Sequence, residues 1–328
     1  MTTREHTNEY FNGQPFMFLC ALALIVATVV ALSMGVQAPS ADSTGLFFSI
    51  KGRLIEHGPL SAFINLVSLF TTGGIMLALN KVFSYVRSVT HLFVSSFFLL
   101  QLANPAGLVS FNAGTLLCLL TAIAMLPLFA SYQDRHAQRS IFLIFAILAA
   151  GSMFHYGFLF LIPAFILGFL NMGVFNLKGV LAMLFGLVTP FWIVLGLGIA
   201  APSSFTVPQI NGIWNLTGQP WTNLMLVLAA LTVVLGIVLA ARNLLTIMNY
   251  RMQTRVYNAF FIFTLVMAVI ALCIDYCDVQ VYLPLLSLMT AVQIAHAHTL
   301  RTAPFRYVFL LLFILGCFAF YTANLLMP

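Results

Sequence analysis

The stretch Ala38–Asn80 reads APSADSTGLFFSIKGRLIEHGPLSAFINLVSLFTTGGIMLALN. It sets five ionisable side chains, Asp42, Lys51, Arg53, Glu56 and His57, between two long apolar runs. The run Phe16–Val36 precedes it, and a second begins at Pro59. A helical membrane span needs about 20 mainly apolar residues, so each run predicts a span. The polar stretch between them is then a loop at a membrane face.

The rest of the chain repeats this alternation. Of 328 residues, 62% are hydrophobic and 6% are charged, with a mean hydropathy of +1.06. So few charges cannot cover the surface of a water-soluble domain, and an all-α polytopic membrane bundle is expected. No segment is polar and long enough for a separate soluble domain, so residues 1–328 read as one integral membrane domain. The sequence pI is about 9.2, but the basic residues are scattered through loops. They read as topology signals, not as a nucleic-acid footprint. Cys20, Cys118, Cys273, Cys277 and Cys317 form no metal-type double pair. The first apolar run is too long for the core of a cleaved signal, and Pro39 follows the only cleavage-like site, Val36-Gln37-Ala38. A retained first span is expected.

Eleven spans are predicted, at 15–36, 59–80, 89–104, 111–131, 140–153, 155–175, 179–201, 221–241, 257–275, 281–299 and 305–326. With the N-terminus inside, the inside segments carry Arg4, Lys81, Arg87, Arg135, Arg139, Lys178, Arg242, Arg251, Arg255, Arg301 and Arg306. The outside segments carry Lys51 and Arg53. That is 11 against 2 of the 13 Lys and Arg, a strong positive-inside bias. The decisive choice lies in 140–175. One long helix there would reverse everything downstream and put six cations outside. The run Gly151, Ser152, His155, Tyr156, Gly157 offers a polar place to break, so two spans are predicted.

Chemistry is sparse. Leu46, Phe47, Ile50 and Leu54 recur at helical spacing and predict an interfacial helix in the first outside loop. Asp42 is a candidate general base there. Lys51 and Arg53 are candidate lipid-phosphate ligands, and they equally suit a loop resting on ordinary headgroups. Glu56, His57 and His155 extend the polar set at the outer face. His155 also suits a helix end, hydrogen-bonded to backbone. Cys273 and Cys277 share a helix face near Asp275 and Asp278, but a zinc site needs further ligands, and no outside histidine is near in sequence. No metal and no cofactor is expected. There is no phosphate loop, dinucleotide fingerprint or GxSxG.

The order of features resembles the GT-C membrane glycosyltransferases over residues 15 to 200. Asp42 takes the acidic position after the first span. Leu46-Phe47-Phe48-Ser49-Ile50 through Glu56-His57-Gly58-Pro59-Leu60 resembles the interfacial helix and its exit, and Ile64-Asn65-Leu66-Val67 the start of the second span. Leu102-Ala103-Asn104-Pro105 resembles the end of the third, and Ala149-Ala150-Gly151 through Pro163 the paired helices. The chain departs from the pattern in three places. Ser43 stands where a second acid is usual. The segment Asn104–Phe111 has no charge, and His155 and Tyr156 stand where a lysine is often found. The chain also resembles uncharacterised bacterial envelope membrane proteins of this size. The resemblance implies a GT-C-like core at 1–200 with added spans at 201–328. It implies a protein of the cytoplasmic (inner) membrane, and the charge split over eleven alternating spans sets the N-terminus inside and the C-terminus outside. Membrane lipids and a polyprenyl-phosphate-linked sugar would be its partners, handled at the outer face. The rival expectations are a non-catalytic scaffold of an envelope complex and a lipid or small-molecule transporter.

Overall fold

The helix Val279–Leu300 is the axis of the molecule, and the whole of its apolar window is buried by other helices. The surroundings come from a computed structural model, which describes residues 10–36, 45–48, 58–86, 90–174, 176–207, 210–215, 223–247, 250–300 and 306–326. In chain order the helices are α1 (Gln14–Ser33), α2 (Pro59–Phe83), α3 (Leu92–Leu102), α4 (Pro105–Leu108), α5 (Ala113–Ala130) and α6 (Gln138–Phe154). A 3-10 turn, Tyr156–Leu161, leads into α7 (Ile162–Asn171). Then follow α8 (Leu177–Gly196), α9 (Leu224–Ile247), α10 (Met252–Ile274), α11 (Val279–Leu300) and α12 (Arg306–Leu326). Among the described residues there is no β-strand. Eight of these helices are long and apolar enough to cross a membrane, so the protein is a multi-pass helical membrane protein.

Local sequence sets the helix starts. Pro59 and Pro105 sit in first turns, where a missing N–H costs nothing. Asn112 and Asn176 cap α5 and α8, their side chains accepting from the N–H groups of Thr115 (2.9 Å) and Gly179 (2.8 Å). Packing on α11 is close because two facing residues are glycines. A Cβ on Gly114 would stand 2.6 Å from the Val281 carbonyl oxygen, and one on Gly236 2.6 Å from Thr290 Oγ1. Three helices are also tied by side-chain amides. Asn243 Nδ2 of α9 donates to Gln293 Oε1 of α11 (2.9 Å), and Gln293 Nε2 donates to Asn258 Oδ1 of α10 (3.2 Å). Such bonds hold membrane helices together where burial in lipid gives no preference for a partner helix.

The 140–175 region breaks where the sequence predicts. Helix α6 ends at Phe154, and His155 is extended (φ −155°, ψ 126°). The chain then folds back. Gln133 N–H, just before α6, donates to the Met172 carbonyl just after α7 (3.1 Å), so both ends of this helical hairpin lie together. The interfacial helix is corrected at its start. Residues Gly45–Phe48 are not helical. Leu46 and Phe48 N–H groups instead donate to the carbonyls of Ser152 (3.2 Å) and Met153 (3.1 Å), and Thr206 N–H donates to Leu46 O (3.0 Å). The four-residue segment is bent, with Gly45 N–H donating to Phe48 O (3.2 Å), and its bonds to the hairpin outweigh a weak helical period. Residues 49–57 lie outside the described residues.

Contacts across the turns define two ends of the bundle. One gathers Gly45–Phe48, the hairpin tip at His155, the link before Asn211, and the α10–α11 turn. The other gathers the starts of α6, α8 and α10. All eight described Lys and Arg residues, Lys81, Arg135, Arg139, Lys178, Arg242, Arg251, Arg255 and Arg306, belong to that second end.

Candidate functional site

At the first end, the acids Asp275 and Asp278 flank the turn from α10 to α11, and both are buried. The hairpin tip reaches them from the side. His155, wholly buried, places Nε2 3.2 Å from Asp278 Oδ2. Its Nδ1 accepts from Gly157 N–H (2.9 Å). That bond assigns the proton of the neutral ring to Nε2, pointing at Asp278. The next residue, Tyr156, donates its hydroxyl to Asp275 Oδ2, and its ring stacks on His155 with centroids 4.7 Å apart. Tyr282, one turn into α11, is 1% exposed and sets its ring edge-on to His155 at 6.1 Å. A bond from Tyr276 N–H to the Asn211 carbonyl (3.1 Å) fixes the turn to the preceding link.

Electrostatics follow from this crowding. Burial pushes the Asp275 carboxyl up to about 7, and the charge of Asp278 and a hydrogen bond with its side chain add to the rise. Backbone N–H groups of Asn211 and Asp278 partly offset them. Two carboxyls this close do not both ionise readily. Asp278 already accepts from His155, so the shared proton resides on Asp275. The pair therefore holds one proton near neutral pH and can release or take it there.

Of the site residues predicted from the sequence, His155 is the one among the described residues, and it falls in this cluster. It does both things open to it, bonding to backbone through Nδ1 and to a carboxylate through Nε2. Asp42, Lys51, Arg53, Glu56 and His57 lie outside the described residues. The described remnant of their loop, Gly45–Phe48, is bonded to the hairpin tip two and three residues before His155. The sequence reading missed Asp275 and Asp278 as partners of His155. They are 120 and 123 positions away, and only the rarity of acids, seven in the chain, marked them. Among the described residues no group of three or more His, Cys, Asp or Glu side chains is arranged to hold a metal ion. An apolar groove of about 130 Å³ lies between α3, α9 and α12, lined by Leu100, Leu228, Thr232, Phe313, Cys317 and Phe320 among others.

No family model, curated protein or solved structure matches the chain.

Proposed function

We propose that this is an eleven-span protein of the cytoplasmic membrane, N-terminus inside and C-terminus outside, that handles a lipid-linked sugar or related lipid phosphate at its outer face. The observation that carries the proposal is the segregation of charge. Every described cation belongs to one end, and the buried acids with His155 belong to the other. Positive residues mark the cytoplasmic side, so the His155 end is the outer one. The tether of Gly45–Phe48 to the hairpin tip supports a site shared by the first loop and His155. The apolar groove between α3, α9 and α12 suits a prenyl or acyl tail. In this reading, which keeps the GT-C resemblance, Asp42 activates an acceptor hydroxyl and Lys51 or Arg53 holds the donor phosphate.

A second reading, a scaffold that keeps this architecture without chemistry, is favoured by one observation. His155, Tyr156, Asp275 and Asp278 are buried and bonded to one another.

Two measurements test the proposal. A single cysteine at Ser203 is expected to react with an impermeant thiol reagent on spheroplasts, and one at Gln138 or Thr254 is not; the reverse pattern would sink the topology. Purified protein in nanodiscs is expected to bind a polyprenyl monophosphate in preference to phosphatidylglycerol. Replacing Lys51 and Arg53 together by alanine should weaken that binding about tenfold or more, because each cation–phosphate bond is worth roughly 1.5–3 kcal/mol. Equal binding of both lipids, or an unaffected double variant, rejects the lipid-phosphate reading.

A further inference from the structure

We propose that Asp275 and Asp278 form a proton-binding site that latches the hairpin tip to the α10–α11 turn, closed when the proton is bound and released when it leaves. The latch is independent of the lipid reading and holds equally for an enzyme, a scaffold or a carrier.

Three observations carry it. First, the hairpin tip and the turn meet through two ionisable contacts, His155 Nε2 to Asp278 Oδ2 and Tyr156 hydroxyl to Asp275 Oδ2. Both come from consecutive residues at a point where the helix has stopped, so a small movement of one turn breaks both. Second, the site is buried, so a second negative charge there has little water to solvate it. Third, Tyr282 Oη is buried, feels the charges of both carboxylates and has no hydrogen-bond partner among the described residues. A buried donor left unused costs free energy, and it becomes useful when Asp275 gives up its proton and needs another donor. Phenol and carboxyl pair thus provide for both proton states.

Among the described residues, the titratable groups around the acid pair are His155 and Tyr156 from the hairpin tip and Tyr282 from α11, with Cys273, Tyr276 and Cys277 beside the pair in the chain. Gly45–Phe48 and the link 210–212 bring no titratable group. No Lys or Arg stands among these described groups to stabilise a doubly charged pair. The carboxyl of Asp275 is held near 7 in the closed form, against about 3.9 when solvated. A pKa raised in the closed form favours closure at acid pH. That advantage is lost as pH climbs from about 4 to about 7, and the closed-to-open ratio falls by up to about tenfold per pH unit in that window.

The test uses the full chain in nanodiscs. Infrared titration is expected to show a protonated-carboxyl band that disappears with a midpoint near neutrality, and Asp275→Asn is expected to lack it. Asp278→Asn should move the midpoint to lower pH, and Tyr282→Phe to higher pH, shifts that a merely structural role would not produce. Hydrogen exchange is read in parallel on peptides covering 154–159 and 275–279, corrected for intrinsic rate. Their protection should fall by about tenfold or more between pH 5 and pH 8 in the wild type, and should stay level in Asp275→Asn. Peptides around 128–134 at the opposite end serve as the control. Absence of a carboxyl band titrating above pH 5 would overturn the proton site. A titrating band with unchanged protection would overturn the latch.

Discussion

Replacing Gly114 by valine is expected to abolish the folded protein, or to leave it several kcal/mol less stable in detergent. The Cβ of any side chain at 114 stands 2.6 Å from Val281 O, 2.7 Å from Gln280 O and 2.8 Å from Val281 Cα. All three are backbone atoms of α11, so no rotamer change relieves the clash, and α5 has to move off the axis helix. That helix also packs on α3, α9 and α10, and its displacement disturbs those contacts too. Overpacking a tight contact costs about 1–3 kcal/mol where side chains yield, and here the backbone has to yield. Gly114→Ala already places the offending atom and should show most of the loss. Gly74→Ala is the matched control, because nothing lies within 4 Å of its Cβ position and alanine favours a helix. Monodispersity and thermal midpoint in one detergent measure both. A Gly114→Val protein with the wild-type midpoint would show that α5 and α11 do not approach as closely as described.

What could be read from the chain before its structure is instructive at particular residues. Apolar runs located the long helices, because length and hydropathy are local properties. The break at 151–157 was legible for a different reason: the distribution of six cations beyond it made one long helix costly. The axis role of α11 was not recognised, although its signal was present. Its window has a mean hydropathy of 1.3, the lowest of the eight long helices, because Gln280, Ser287, Thr290 and Gln293 lie in it. Lipid-facing helices do not carry amides in this number, so uncharged polar residues in a span point to a helix enclosed by others. Counting only ionisable groups passed over them. The pairing of His155 with Asp278 was beyond any periodicity argument, since it depends on which loops share a rim. Leu46 and Phe47 show the opposite error, in which two apolar residues counted toward a helical period belong to a bend.

If the proposed lipid-phosphate chemistry holds and Asp42 is its base, Asp42→Asn is expected to lower activity by roughly a hundredfold or more, the scale for losing a general base, while expression and membrane insertion stay near wild type. The sequence puts Asp42 in a polar loop between two spans, and substitutions in such loops usually change stability by less than about 0.5 kcal/mol. The departure at Ser43, where a second acid is usual, bears on how the chemistry is shared. Asp275 and Asp278 stand at the rim to which Gly45–Phe48 is bonded. They are paired to Tyr156 and His155 and buried, so they are ill placed to receive a proton from a bulky acceptor. Their loss should therefore alter the pH dependence of the protein and not its limiting rate. A scaffold predicts the reverse ranking: Asp42→Asn silent, and damage following changes at Gly114 or at the hairpin tip. Complementation of a deletion strain separates the two, with envelope glycans and polyprenyl-linked lipids compared between strains. Full rescue by Asp42→Asn with an unchanged glycan and lipid profile would end the base mechanism. Loss of the profile with normal protein level, together with rescue by Asp275→Asn at a shifted pH, would assign the chemistry to the first loop and the proton to the rim.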